Sequence, residues 1–270
     1  MVHNDIFDLT GKVALITGAS SGLGRAFAEA MAEFGADVAI TGRDRVKLAE
    51  TEKICSEYGK RVVALQVDVT VEEQVRRMVE ETVRQLGKID IFFNNAGTAA
   101  PLRRIHEITT EEWDLVIDTN LKGVFWGMKY VIPVMIKNKG GSIINISSIA
   151  GLRAEVPEVA PASYGASKAA IINLTQVAAM EYVKDGIRVN CIAPGMHKSD
   201  LGMPRNTPVD PELKKRMEKM IAEYCAAEIP MGRQAEASEI KGLAVLLASN
   251  ASSYITGQVF IQDGGQSARL

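Results

Sequence analysis

The sequence has little cysteine and no pattern in it. Cys55, Cys191 and Cys225 are the only three in 270 residues, and they fit no metal-ligand spacing. An odd, scattered set argues against a disulfide framework and suits a reducing compartment, so a cytoplasmic protein is expected. No apolar run approaches the roughly 18 residues that span a bilayer. The opening MVHNDIFDLTGK lacks the apolar core of a secretion signal. Charge of one sign is not in excess either. The net charge is −2 with a pI near 6.0, which gives no general attraction to nucleic acid. Repeats, low-complexity tracts and long linkers are missing, so residues 1–270 read as a single domain.

What is present is alternation. Short apolar runs ended by glycine or polar residues read as strands: KVALITG (12–18), DVAIT (37–41), RVVALQVDV, IDIFFNN (89–95), GSIINIS (141–147), IRVNCIA (187–193) and QVFIQ (258–262). Segments with helical spacing lie between them, among them 23–35, 44–59, one long stretch from Thr109 or Thr110 to Lys137, and 238–249. Strands separated by helices imply βαβ crossovers. The expected fold is α/β, a doubly wound Rossmann domain with a mainly parallel seven-stranded sheet and helices on both faces. Ligands of such sheets bind beyond the C-terminal strand ends, where strand order reverses.

Two stretches after strands carry chemistry. TGASSGLG, Thr17 to Gly24, joins the first strand to the first helix. Glycines at 18, 22 and 24 let backbone approach an anion, and the helix N-terminus offers it unpaired N–H groups. The second stretch is YGASK. Tyr164 and Lys168 are four apart on a helix, hence on one face about a turn apart.

TGASSGLG, NNAG (94–97) and YGASK together resemble the classical short-chain dehydrogenase/reductase family. The likeness covers nearly the whole chain and includes Asp68 in DVT, Asn120 in DTNLKGVF, NISSIAG, Pro194-Gly195 and ITGQVFIQDGG. It implies that Tyr164 is the acid/base for a carbonyl/alcohol pair and that Lys168 moves the tyrosine from ~10 toward its working range. It also implies that Ser148 steadies the substrate oxygen and that Asn120 holds a water for proton relay. Alternation along the strand sends Ser147 to the opposite face. Relatives that act as nucleotide-binding scaffolds or sensors generally lose one of this set. All four residues are present here, although that non-catalytic class stays open.

The cofactor implied is a nicotinamide dinucleotide. Gly18, Ser20, Ser21, Gly22, Leu23 and Gly24 would hold its pyrophosphate, and Asp68 and Val69 would flank the adenine. Asn94, Ala96 and Gly97 would line the ribose path. Tyr164 and Lys168 would reach the nicotinamide ribose, and Pro194, Gly195 and Ser199 would border the nicotinamide. His197 stands where the family has a β-branched residue, and Ser199 where it has threonine. In the family an acid just past the second strand selects NAD. That position is Gly42, and Arg43 follows it, so NADP(H) is favoured over NAD(H). Asp44 is the competing carboxylate.

Substrate shape is expected from 151–163 and from a lid at about 196–230, whose PELKKRMEKMIAEYCAAE reads as a helix. Arg103, Arg104, His106, Arg153, Glu155, His197, Lys198 and Arg205 suit a polar small-molecule carbonyl or alcohol such as a keto sugar acid, and the N-terminal stretch resembles gluconate 5-dehydrogenase-type members. KKRMEK equally reads as a solvated face. A 3-oxoacyl thioester reductase is an alternative that Asp185 disfavours, because those relatives often have a basic residue there. A hydroxysteroid dehydrogenase is another, with Met203, Met217 and Met220 as apolar contacts. The resemblance also implies a homotetramer built on the 109–137 helix, the YGASK helix and the last helix and strand.

Overall fold

A computed structural model describes residues 6–99, 101–154, 160–199 and 210–268, except for the side chains of Pro211, Leu213 and Lys214. Glu155, Met203 and Arg205 lie outside the described residues. The chain alternates as β1 (Val13–Ile16), α1 (Gly22–Glu33), β2 (Asp37–Gly42), α2 (Arg45–Ser56), β3 (Val62–Gln66), α3 (Glu72–Leu86) and β4 (Ile91–Asn94). Next come α4 (Thr110–Ile117), α5 (Gly123–Lys137), β5 (Gly141–Ile146), α6 (Ala162–Tyr182) and β6 (Ile187–Pro194). The described chain closes with α7 (Pro211–Glu228), α8 (Lys241–Ala248) and β7 (Val259–Gln262).

The seven strands form one sheet in the order β3-β2-β1-β4-β5-β6-β7, and every pair is parallel. β1 and β4 are buried along their whole length, as expected of strands covered on both faces. One core layer joins the sheet to α1, α2 and α8, with Phe27 stacked on Phe93 at 4.7 Å between ring centroids. The other joins it to α3, α5 and α6 through Met78, Val131, Met135 and Ile171. Strand order reverses between β1 and β4, so the turns after these two strands open onto the same crevice.

The long helical stretch starts at a capping box, in which Thr109 Oγ1 accepts from Glu112 N and Glu112 accepts from Thr109 N. It is interrupted once. Asp118–Lys122 forms a wider π-turn between α4 and α5, and Asn120 lies inside it. α7 has the bounds expected for the lid helix. Asp210 caps it, and Met217, Ile221, Tyr224 and Cys225 form its packed face. Lys215, Arg216 and Lys219 are exposed, as the solvated-face reading of KKRMEK expects. Among the described residues no helix is long and apolar enough to cross a membrane, and no cluster of ligands for a metal ion occurs. All three cysteines are free and buried.

Candidate active site

The turn after β1 has the geometry of an anion cradle. Gly18 and Gly22 take positive φ, +67° and +54°. A Cβ on Gly24 would lie 2.1 Å from the Gly18 carbonyl oxygen, so only glycine lets α1 come this close. Ser21 sits at the N-cap of α1 without making a side-chain cap bond, which leaves the first N–H groups of the helix without a side-chain acceptor. Two residues not singled out from the sequence tie this turn to the one after β4. Thr17 Oγ1 accepts from Asn95 N at 2.9 Å and from Ala96 N at 3.0 Å, and Asn95 Nδ2 donates to Thr17 O at 2.8 Å. Both stand inside the TG and NNAG motifs, beside the residues expected to hold the dinucleotide. Asn94 is 3% exposed and donates to Val124 O at 2.8 Å, so its side chain holds α5 rather than facing the crevice.

β5 delivers the serines. Ser147 is buried and donates to Lys168 O at 2.7 Å. Ser148 is extended, caps the turn at Ile149–Gly151 and shares a hydrogen bond with the Tyr164 hydroxyl. On α6, Lys168 Nζ lies 5.5 Å from the Tyr164 ring centroid and donates to Ile146 O at 2.9 Å. Asn120 is fully buried. Its amide accepts from Thr98 N at 2.8 Å and donates to Thr98 O at 2.9 Å and Ser167 Oγ at 3.1 Å. The π-turn thus carries an amide that locks the Gly97-Thr98 segment beside Lys168. A Cβ on Gly97 would stand 3.4 Å from Asn120 Oδ1 and 3.6 Å from Lys168 Nζ.

Electrostatics depart from the expectation in one respect. Burial raises Tyr164 above the usual tyrosine range, and the bond from Ser148 offsets this only in part. Burial also pushes the Lys168 amine down to about 8, against a smaller opposing effect of Cys191. The expected lowering of Tyr164 is absent because desolvation dominates and the ammonium is directed at a backbone carbonyl. Tyr164 is therefore held as the protonated acid.

At the other end of the crevice, a Cβ on Gly42 would meet Ser20 Oγ at 2.1 Å, so an acidic side chain there would require Ser20 to move. Asp44 Oδ1 accepts from Val46 N and Lys47 N as the N-cap of α2. Arg43 Nη1 lies 3.8 Å from Asp68 Oδ2, and both side chains are partly exposed. Val69 packs behind, against Gly123. Beyond β6, Gly195 N donates to Gln262 O, and Gly195 is too close to Asp263 to carry a side chain. His197 is buried, with Nδ1 3.1 Å from Gly195 O. That carbonyl only accepts, so Nδ1 carries the proton. Burial lowers the pKa of the ring, with the Gly195 bond and Glu239 opposing. The departure at this position is thus an internal neutral imidazole. Ser199 lies against Gly22, bringing the loop after β6 to the phosphate turn.

The uncapped α1 terminus, the glycine close approaches and the buried Ser20 Oγ, unpartnered among the described residues, all fit a dinucleotide. Together with a serine–tyrosine–lysine set at the same sheet edge, they define a Rossmann-type oxidoreductase. A family model described as enoyl-(acyl carrier protein) reductase matches residues 18–267. A 3-oxoacyl-[acyl-carrier-protein] reductase of Thermotoga maritima is 37% identical over 95% of this chain and 98% of its own length. An NADP-dependent mannitol dehydrogenase of Alternaria alternata is 38% identical over 98% and 96%. The crystal structure of a short-chain type dehydrogenase/reductase from Mycobacterium marinum superposes with a TM-score of 0.88 at 35% identity, covering 98% and 99% of the two chains. The chain belongs to the short-chain dehydrogenase/reductase family, whose members act on carbonyl/alcohol pairs with a nicotinamide dinucleotide.

Proposed function

We propose that this protein is an NADP(H)-dependent enzyme interconverting a polyhydroxylated ketone and its secondary alcohol. The observation that carries the reaction class is the Ser148–Tyr164 hydroxyl pair, with Lys168 one turn along α6. When bound, the dinucleotide supplies a hydride for the carbonyl carbon. Ser148 holds the carbonyl oxygen as charge develops on it, and Tyr164 gives that oxygen its proton. The Lys168 ammonium stabilises the tyrosinate left behind, while Asn120 positions Thr98 and Ser167 around it. The Asn120 side-chain amide is engaged by Thr98 and Ser167, so in this scheme the side chain positions the segment beside Lys168.

NADP(H) is the reading supported by Arg43, partly exposed beside Asp68, and by Asp44, whose Oδ1 caps the start of α2. The NADP-dependent mannitol dehydrogenase relative agrees with it. Arg43→Ala is expected to raise KM for NADPH about 10- to 100-fold and to change KM for NADH little, because a charge-assisted contact to the 2′-phosphate is lost. An unchanged NADPH/NADH preference would sink the assignment.

The substrate reading follows from the cations at the mouth. Arg103 pairs with Glu112 and Lys198 with Glu236, and Arg153 donates to Gln266 O with Asp263 nearby. Such pairing favours a neutral polyhydroxy ketone over the keto sugar acid suggested by the sequence. The 3-oxoacyl reductase relative keeps a thioester substrate as the second reading. NADPH oxidation with fructose, a keto sugar acid and a 3-oxoacyl thioester decides between them. Fructose turnover is expected to lead, thioester turnover in the lead would select the second reading, and none at all would revive a non-catalytic role.

A cytoplasmic homotetramer completes the reading. Large apolar side chains stand exposed on the elements expected to mediate it: Leu115 and Phe125 on α4 and α5, Val177 and Met180 on α6, Ile261 on β7. Light scattering on the purified protein is expected to give about four chain masses. A monomer mass would refute it.

A further inference from the structure

The residues after β7 form a hub between three parts of the crevice. Asp263 accepts from Gly265 N at 2.9 Å and Ser267 N at 2.6 Å, which folds the chain into a tight turn. This turn lies against Gly195 of the loop after β6 and against Ile229, Pro230 and Met231, which follow the lid helix α7. Met231 N donates to Gly264 O. Gln266, the next residue, is 1% exposed. Its carbonyl accepts from Arg153 Nη1 at 3.1 Å, and Arg153 lies five residues beyond Ser148. Its amide Nε2 donates to Tyr224 Oη at 2.9 Å, on the packed face of α7. One buried residue thus joins the loop leaving the candidate catalytic serine to the helix that forms the lid.

Gln266 is a poor choice for stability alone. Its amide nitrogen bonds Tyr224 Oη, and Oε1 is buried without a partner among the described residues. An apolar side chain of similar length would avoid that penalty. We propose that Gln266 is a positioning residue for the substrate. Its side-chain bond to Tyr224 seats α7 on a turn that its main-chain carbonyl ties to Arg153, and so fixes the width of the pocket between α7 and the Ser148 loop. This rests on the reading of the crevice as a ketone site, and the residue acts through its neighbours rather than on the reacting atoms.

The test uses the full chain with NADPH and fructose. Gln266→Met keeps the length and removes the amide. It is expected to leave thermal stability equal or higher, and to raise KM for fructose about fivefold, more than kcat falls. Hydrogen exchange is expected to speed up in α7 but not in β1 and α1. Tyr224→Phe cuts the same bond from the other side and should reproduce these changes. The double variant should match either single one within about twofold, because both remove one contact. If either folded variant leaves KM and α7 exchange at wild-type values, or if the two effects multiply, the proposal is wrong. Should the wild type fail to reduce fructose, the substrate reading fails by itself, and the exchange pattern still decides the role of Gln266.

Discussion

Tyr164→Phe is expected to bind NADPH as the wild type does and to lose about a thousandfold in kcat, the scale of a removed general acid. The substitution deletes one oxygen. That oxygen bonds Ser148 and is the proton donor in the proposed reduction. The ring and its packing stay, so dinucleotide affinity, read by fluorescence titration, should change little. Steady-state NADPH oxidation with the best ketone of the panel measures the loss. A variant with kcat within about tenfold of wild type would exclude Tyr164 as the acid, since a general acid contributes more than that. Burial raises Tyr164 above its usual range, which keeps it protonated but makes it a weaker donor.

Lys168→Met is expected to abolish turnover and to make the protein more stable at neutral pH. The wild type holds a buried amine at about 8 against an ordinary 10.5, a gap worth ~3 kcal/mol to the unfolded state at neutral pH. The sign follows from proton counting. Between about 8 and 10.5 the unfolded chain binds more protons at Lys168 than the folded one, so this residue's penalty is full below pH 8 and fades as pH rises. Cys55 and Cys191, raised by burial to about 12 and about 11, work the other way above their ordinary 9.0. They are present in both proteins and largely cancel in the difference. Urea unfolding should therefore favour the methionine variant by about 1–3 kcal/mol at pH 7, less the lost bond to Ile146 O, and by less at pH 9.5. A variant less stable than wild type at pH 7, or a difference independent of pH, would show that the amine is not held against its protonation. The stability gain would mark Lys168 as a residue kept for chemistry.

Much of the site was legible from the strand-end rule. Once strands and helices alternate, the residues after β1, β4, β5 and β6 must share one edge of the sheet, and those residues carried the motifs. Alternation predicts opposite faces for Ser147 and Ser148, yet both hydroxyls meet α6, Ser147 at the Lys168 carbonyl and Ser148 at the Tyr164 hydroxyl, so it is the partner and not the face that separates them. Asn94 was less legible. NNAG gives no hint which asparagine binds backbone across the crevice, and the choice depends on where α5 and β1 approach. Asp44 was ambiguous for the same kind of reason, because a carboxylate after a strand can cap a helix or meet a ribose. Here the start of α2 takes it.

By itself the sequence determined the class of fold, the family and the residues that meet at the strand ends. Hydrophobic period and glycine placement are local properties, and each strand end carries its chemistry with it. Only the tertiary structure decided the charge states and the supports. Burial is a property of the packed whole, so the raised tyrosine, the depressed lysine and the neutral His197 could not be read from the motifs that hold them. The same is true of Gln266. Its partners are Arg153 and Tyr224, 113 and 42 residues away along the chain, and nothing short of the folded arrangement brings them together.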